Sequence, residues 1–242
     1  RRPVPPRAWW CPLTLLSHPT GEPSRLVPPK PGECHVWRLP MDPARWAGFD
    51  VLDAGEREQH ARFRRVADQH RYQAAHVGAR LLLGRYLGVA PAALRFSRRC
   101  PHCGCGRGKP VLVDPVGGLD FSLTHSGDWV ALAVATEPVG VDVQELTSRA
   151  DVAALSRTVL APAELRWWTE QPTEIAHRGF FAYWARKEAL LKATGHGLAV
   201  PMNTITLSPP DQPARLLDWS AQRPLDRPVR LADFDAGPGY AA

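Results

Sequence analysis

The chain has 242 residues, of which 44% are hydrophobic, so it can bury the core of one large or two small globular domains. Lysine and arginine number 30 against 24 acidic residues, and this excess favours anionic partners: phosphorylated small molecules, nucleic acid or an acidic protein. No apolar run approaches the ~18 residues of a membrane span. Prolines interrupt the apolar opening segment, which argues against a secretory signal, and the 5 cysteines do not suggest a disulfide framework. We therefore expect a cytoplasmic protein.

The first third of the chain predicts a tail, a strand and two helices. Residues 1–33 are rich in proline and arginine without periodicity, so we expect an irregular tail. A strand is predicted from Cys34, followed by a short helix over "EREQHARFRRV". A longer helix, with Asp68 as N-cap and Gly88 as its end, is predicted by apolar residues at three- and four-residue spacing. These residues are Tyr72, Ala75, Ala79, Leu82 and Tyr86.

The middle of the chain predicts strands that carry polar side chains. The stretch "LDFSLTHSGDWVALAVA" is typical of two strands joined by a tight turn at residues 126–128. A further strand is predicted for "PVGVDVQ", in which alternation places Gly140, Asp142 and Gln144 on one face. That face is either solvated or offers a carboxylate and an amide oxygen to a pocket, and Mg²⁺ takes oxygen ligands of this kind.

Two further features combine chemistry with an alternative explanation. His125 ends a predicted strand beside a turn of small residues, where backbone N–H groups can approach a phosphate, although a lone histidine is more often structural. In "FFAYWARKEALLKATGHGL", Trp184, Glu188 and Lys192 are four residues apart and form one row on a helix that ends at Gly195. A surface Glu–Lys pair would contribute only ~0.2–0.5 kcal/mol. The aromatic neighbours and the glycine stop favour a site instead.

A weak internal repeat suggests two similar lobes. Each half contains helices, strand segments and a glycine turn that leads into an alanine-rich strand, "SGDWVALAV" and "GPGYAA". We expect an α+β fold with an N-terminal lobe at residues 34–145 and a C-terminal lobe at 146–242. The second lobe is expected to be shortened at its C-terminus, because "GPGYAA" barely begins its last strand.

The ordered set "HSGDWVALAV", "GVDVQ" and "WARKEALLKATGHGL" resembles the 4'-phosphopantetheinyl transferases of the two-lobed, Sfp-type branch. "GKP" at 108–110 and "FRRVADQHRY" upstream fit the resemblance, which covers roughly residues 50 to 207. It implies a pseudo-dimeric α+β fold with coenzyme A in the cleft between the lobes. It also implies a magnesium-dependent, monomeric enzyme. Such enzymes move the phosphopantetheine arm of coenzyme A to a serine of an acyl or peptidyl carrier protein and release adenosine 3',5'-bisphosphate.

The resemblance also implies roles for individual residues. The metal ligands would be Asp142 and Glu188, with Gln144 at the usual third acidic position, and the catalytic residues would be Asp142, Glu188 and Lys192. The coenzyme A contacts would come from cations, a histidine and a hydroxyl at matched positions. These are Arg71, Lys109, Thr124, His125, Lys187 and Lys192, with Arg64 and Arg65 as weaker candidates.

Two departures leave alternatives open. Gln144 brings no charge to the metal, which suggests a non-catalytic coenzyme A-binding relative. The loop "RRCPHCGCGRGKP" contains Cys100, His102, Cys103 and Cys105, which suggests zinc and a zinc-ribbon nucleic-acid module. That module gives Asp142 and Glu188 no role, so we do not expect nucleic acid as a partner. Since no apolar run is long enough to span a membrane, we do not expect a membrane partner either.

The segment "VLAPAELRWW" is a candidate surface for the carrier protein. Its apolar side chains would either face the partner or fill the core, and we expect the core for at least two of the four. They are Leu160, Leu165, Trp167 and Trp168.

Overall fold

Helices and short strands alternate along the chain in a mixed α+β fold. The structure is a computed structural model that describes residues 13–17, 25–46, 49–100, 104–106, 108–113, 118–147 and 151–242. Its helices are α1 (Ala54–Arg62), α2 (Val66–Leu87), α3 (Val152–Val159), α4 (Pro162–Glu170) and α5 (Thr173–Thr194). Its strands are β1 (Leu13–Ser17), β2 (Cys34–Arg38), β3 (Phe96–Ser97), β4 (Val111–Leu112), β5 (Asp120–Ser126), β6 (Trp129–Ala135), β7 (Gln144–Glu145), β8 (Ile205–Leu207), β9 (Leu216–Trp219) and β10 (Tyr240–Ala241).

A four-stranded sheet in the order β1-β2-β6-β5 lies at the centre of the N-terminal half. Strands β5 and β6 pair in antiparallel register through the turn at Gly127 and Asp128, as the sequence predicted. Helix α2 covers one face of the sheet, because its apolar residues recur at helical spacing and pack against alternate residues of β6. Val77, Leu83 and Leu132 are fully buried in this cluster.

The second face of the sheet has its own apolar cluster. Ala131 and Ala133 of β6 point to this face and pack against Val141 and Val143 of the following segment. A separate apolar cluster surrounds α5 in the C-terminal half, where Phe180 packs with residues of α3 and β8. Helix α5 therefore joins the second core to the segment that crosses the sheet. Among the residues that the structure describes, no helix combines the length and apolar character that crossing a membrane requires.

Three predictions from the sequence differ from the structure. The short helix predicted over residues 56–66 is α1 at Ala54–Arg62, with Phe63 as its C-cap. Helix α2 begins at Val66 with Arg65 as N-cap, so Asp68 lies in the first helical turn and its carboxylate accepts from Arg71 instead of capping the helix. Residues 1–33 are not wholly irregular, because β1 pairs in parallel with β2. Five residues without clear periodicity become a strand when a neighbouring strand edge supplies the hydrogen bonds, and sequence alone does not reveal that edge.

The predicted strand "PVGVDVQ" is also different in the structure. Only its end forms a strand, where β7 pairs in antiparallel register with β10. Residues 139–143 cross the second face of the sheet over β6, whose backbone groups already pair with β2 and β5. Their N–H groups therefore donate to side-chain oxygens of β5. The predicted alternation survives, since Val141 and Val143 still lie together in the apolar cluster.

Gly140 is the point of closest approach between this segment and α5. A Cβ atom at Gly140 would lie 1.8 Å from the backbone oxygen of Ala189 and 2.6 Å from the nitrogen of Ala193. Both neighbours are helix backbone and cannot rotate away. Only glycine allows α5 to lie this close to Asp142.

We expect Gly140→Ala to destabilise the fold by about 3 kcal/mol or more, because overpacking against backbone forces the helix to move. Thermal denaturation measures this loss, at about 2–4 °C per kcal/mol for a protein of this size. Gly239→Ala is the matched control, since nothing lies within 4 Å of its added Cβ. Equal melting temperatures for the two variants would show that the close approach is not a constraint.

Candidate active site

The row of polar residues predicted on α5 is present and faces the segment with Asp142. Trp184, Glu188 and Lys192 are all partly exposed on the helix. Trp184 packs edge-on against Phe180 at 5.7 Å between ring centroids, which anchors the row in the second core. The helix ends at Gly195, whose φ of 70° is left-handed, as the glycine stop predicted.

Asp142 is the centre of a polar cluster. Its carboxylate is buried, with the residue 4% exposed, and both of its oxygens accept hydrogen bonds. Lys192 Nζ lies 2.6 Å and Thr124 Oγ1 2.8 Å from Oδ1, while Gln144 Nε2 lies 2.7 Å from Oδ2. Lys192 comes from a position 50 residues away in the sequence, so the tertiary fold creates this site.

The electrostatics of the cluster fit a divalent cation. Burial and the nearby charge of Asp142 raise the pKa of Glu188, and Lys192 opposes that rise. Two carboxylates thus share a poorly solvated region with one ammonium group. Magnesium is typically held by one or two carboxylates together with substrate phosphates and water. Within the described residues, no group of three or more His, Cys, Asp and Glu side chains could hold a metal without such help.

His125 stands beside a cleft on the other face of β5. The cleft has a volume of about 700 Å³ and its walls include Phe63, Tyr72, Phe96 and His125. Desolvation, followed by the charges of Lys192 and Arg71, lowers the pKa of His125, which favours the neutral imidazole. Strand alternation puts the Thr124 side chain on the opposite face, where it contacts Asp142.

Arg71 lies at the turn that follows His125. Its Nε donates to the backbone oxygen of Gly127 at 2.7 Å, and its guanidinium pairs with Asp68. The charges of Arg71 and Lys192 both act on His125, so the structure brings these three residues near one another, with Arg71 paired to Asp68 and Lys192 to Asp142. It does not bring Thr124 to the same face as His125, although the sequence analysis expected both to contact coenzyme A.

Two predicted coenzyme A contacts lie elsewhere. Lys187 is fully buried, and its ammonium donates to the carboxylate of Glu164 and to the backbone oxygens of Val159 and Met202. These three oxygens use all three donors of a lysine. The expected pyrophosphate contact of Lys187 is thus corrected to a structural ion pair, because burial in the second core commits the side chain to that partner.

Lys109 is similarly engaged. Its ammonium donates to Asp120 and, at 2.8 Å, to the backbone oxygen of Val139. Burial lowers the pKa of Lys109 and the charge of Asp120 opposes that change. The structure places this lysine at the start of the segment that leads to Asp142 and ties it there, away from Arg71.

The cleft also has polar lining residues that were not predicted from the sequence. Glu56 accepts from Arg80 Nε at 2.7 Å and lies 3.0 Å from His76 Nδ1, and the His76 ring stacks on Tyr72 at 3.9 Å. Burial would raise the pKa of Glu56, but the hydrogen bonds of His76 and the Asp53 backbone, with the charge of Arg80, outweigh it and lower the pKa. The spacing of Asp53 and Glu56 is that of a capping box, which could have predicted the start of α1 from the sequence.

The structure also bears on the expectations for residues 159–168 and for the cysteine-rich loop. Leu160 is buried, and Leu165, Trp167 and Trp168 are partly buried and pack against the second core, so the expectation that at least two of the four fill the core is confirmed. Docking of a carrier protein on this segment stays a prediction. In the zinc loop, Cys100 is partly exposed and Cys105 exposed. His102 and Cys103 lie outside the described residues, so zinc binding stays a prediction.

The burial of the Glu188 carboxylate, together with its repulsion by Asp142, predicts that Glu188→Gln raises the melting temperature at pH 7. Because Glu188 is partly exposed and solvent screens its charge, the gain is at most about 1 kcal/mol, or about 2–4 °C. Because the pKa of Glu188 is raised, the protonated form is favoured in the folded state. The difference should therefore vanish as the pH falls below the ordinary glutamate value and grow as the pH rises above it. A glutamine variant that melts below the wild type at pH 7 would contradict the proposed repulsion.

Comparisons with known proteins agree with this geometry. Residues 138–234, which include Asp142, Glu188 and Lys192, match the 4'-phosphopantetheinyl transferase superfamily. The chain is 34% identical over 190 residues to 4'-phosphopantetheinyl transferase HetI of Nostoc sp., covering 76% of this chain and 78% of that protein. It is 30% identical over 229 residues to a phosphopantetheinyl transferase of Thraustochytrium sp. (85% and 76%). It is 24% identical over 159 residues to 4'-phosphopantetheinyl transferase Sfp of Bacillus subtilis (66% and 67%). This chain belongs to the 4'-phosphopantetheinyl transferase superfamily.

Proposed function

We propose that this protein transfers the 4'-phosphopantetheine arm of coenzyme A to a serine of an apo acyl or peptidyl carrier protein. The products are the holo-carrier protein and adenosine 3',5'-bisphosphate. One observation carries the proposal: Lys192 and Glu188 of α5 meet the buried Asp142 of a distant segment. The family of the chain supplies the reaction, and this cluster supplies the charges that the reaction needs.

Coenzyme A binds with its nucleotide end in the cleft beside β5. The volume of about 700 Å³ is within the range of small-molecule sites, and Tyr72 and Phe96 offer aromatic faces to a base. His125 lines the cleft, Arg71 binds the turn that follows it, and both donate hydrogen bonds to phosphate oxygens. The pyrophosphate then extends toward Lys192, whose charge reaches His125.

Asp142 and Glu188 would hold magnesium, with Gln144 as a neutral neighbour that would contribute its amide oxygen or a bound water. When bound, the ion neutralises charge on the pyrophosphate and on the departing phosphate. The two protein carboxylates fit such an ion because burial, followed by the charge of Asp142, raises the pKa of Glu188, and a second positive charge would favour its ionised form.

The residues of the chain itself perform the remaining steps. Glu188 has a raised pKa, which makes it a better acceptor for the proton of the incoming serine. Two of the three N–H donors of Lys192 go to Val141 and Asp142 within the described residues, and the third is directed to the leaving phosphate. Phosphoryl-type transfer depends on such positioning and charge neutralisation more than on covalent help.

We further propose two lobes, at residues 34–145 and 146–242, with the site at their junction. Separate apolar clusters support this division: one contains residues between Trp37 and Val134, and another residues between Val159 and Leu207. Asp142 lies near the end of the first lobe and Glu188 in the second. Since one chain supplies both, the site requires no second copy, and we propose a monomer.

The direct test is the intact mass of an apo carrier protein after incubation with this protein, coenzyme A and Mg²⁺. We expect the mass to increase by one phosphopantetheine group. Asp142→Asn and Glu188→Gln should abolish the increase while the protein remains folded, because each removes one of the two carboxylates. Binding of coenzyme A without any transfer, with Mg²⁺ present and several carriers tried, would favour the non-catalytic relative.

Arg71→Ala should raise the Michaelis constant for coenzyme A about tenfold and change turnover less. One charge-assisted contact to phosphate contributes ~1.5–3 kcal/mol, and 1.4 kcal/mol corresponds to a factor of ten. Arg62→Ala is the control, because this exposed arginine pairs only with Glu58 on α1 within the described residues. Unchanged coenzyme A affinity of the Arg71 variant in calorimetry would remove Arg71 from the site.

A further inference from the structure

A row of side-chain oxygens on β5 holds the segment that contains Asp142. Four alternate residues of β5 accept the N–H groups of four alternate residues of the segment, each pair 19 residues apart. We call these four acceptors the oxygen ladder. The pairs are Val139 with Asp120 (2.8 Å), Val141 with Ser122 (3.2 Å), Val143 with Thr124 (3.3 Å) and Glu145 with Ser126 (2.9 Å).

The ladder replaces backbone pairing because the segment crosses the face of the sheet and not its edge. Val141 and Val143 pack on Ala131 and Ala133 of β6, whose backbone groups already pair with β5 and β2. The buried N–H groups of the segment therefore need acceptors that rise from the sheet surface. Short oxygen-bearing side chains at every second position of β5 meet this need.

The first pair in the ladder is reinforced by charge. Asp120 accepts from both the Val139 N–H group and the Lys109 ammonium, and Lys109 also donates to the Val139 backbone oxygen. Both polar groups of Val139 are thus fixed to the same ion pair. This gives Lys109 a contact in the interior that the "GKP" motif by itself does not reveal.

Asp142 lies between the two central pairs. Ser122 and Thr124 hold the peptides on either side of it and are 1% and 5% exposed. Thr124 acts twice, since its hydroxyl accepts from Val143 and donates to the carboxylate of Asp142. On its other side, the segment contacts the backbone of α5 at Gly140. The carboxylate is therefore fixed in position both along and across the sheet.

We propose that Ser122 and Thr124 are positioning residues for phosphopantetheine transfer, which hold the Asp142 carboxylate in register with Lys192 and Glu188. This inference rests on the proposed function for the role of Asp142. The expected contact of Thr124 with coenzyme A is replaced by a role on the opposite face of β5. Ser122 touches no substrate in this scheme and acts only through the backbone of Val141.

Ser122→Ala tests the proposal, because it leaves the Val141 N–H group buried without its acceptor. Ser122→Thr retains a hydroxyl and should restore the wild-type behaviour. Ser156→Ala is the matched control, since Ser156 is also buried and its hydroxyl donates to Ala153 within α3, outside the ladder. The full chain is used throughout, with Mn²⁺ as the metal probe, counted by electron paramagnetic resonance with coenzyme A present.

We expect Ser122→Ala to weaken Mn²⁺ binding and lower turnover by about tenfold each, as for residues that orient metal ligands. The Michaelis constant for coenzyme A should change less than about threefold, and amide exchange at Val141 should accelerate. Ser156→Ala should lower the melting temperature without these changes. If the larger threonine side chain lowers the melting temperature of Ser122→Thr below that of Ser122→Ala, the comparison of Ser122→Ala with Ser156→Ala tests the proposal.

The proposal is overturned if folded Ser122→Ala keeps Mn²⁺ affinity and turnover within about twofold of wild type. It is equally overturned if Ser156→Ala loses both to the same extent, because the effect would then be general destabilisation. A wild-type protein that binds Mn²⁺ but transfers nothing would instead refute the proposed function. In that case the Mn²⁺ and amide-exchange measurements still test whether the ladder positions Asp142.

Discussion

The close approach of α5 to the segment at Gly140 is the constraint on which the site depends. A helix backbone and an extended backbone touch there with no side chain between them. This contact sets Lys192 against Asp142 and brings Glu188 near enough for the two carboxylates to repel each other. Burying such charges costs free energy that their mutual attraction alone does not reliably recover. The fold holds them in place through the packing on both sides.

Three consecutive charged residues of α5 show how the helix is fixed. Successive residues point about 100° apart around a helix, so neighbours in sequence face different parts of the protein. Arg186 forms a two-point ion pair with Asp233, Lys187 pairs with the buried Glu164, and Glu188 faces Asp142. Two anchors therefore hold the helix from two directions and leave the third charge for chemistry. Three adjacent charges are typical of a solvent-exposed helix surface, but here two of them form ion pairs and the third interacts with Asp142.

The sheet serves different purposes on its two faces. One face carries the large side chains that pack on α2 and lead to the cleft, and the other carries alanines and the oxygens of β5. His125 and Thr124 are neighbours in the sequence but act on opposite faces, one toward the cleft and one toward Asp142. A single strand thus connects the proposed nucleotide site with the proposed metal site, and its alternation keeps the two functions apart.

The sequence by itself determined the elements whose signals are local. Helical spacing and the terminal glycine predicted α5 and the row of Glu188 and Lys192, and alternation around a tight turn predicted β5 and β6. The order of these motifs was enough to indicate the family. The tertiary structure decided the partners of each charge. Lys187 and Lys192 were both expected to contact coenzyme A. In the structure Lys187 pairs with Glu164, and a buried ion pair depends on a residue that no local pattern specifies. The segment at Asp142 looked like a strand, because its alternation is that of a strand. Only the tertiary structure shows that the segment lies over β6, whose backbone groups pair with β2 and β5, and that side-chain oxygens of β5 hold it.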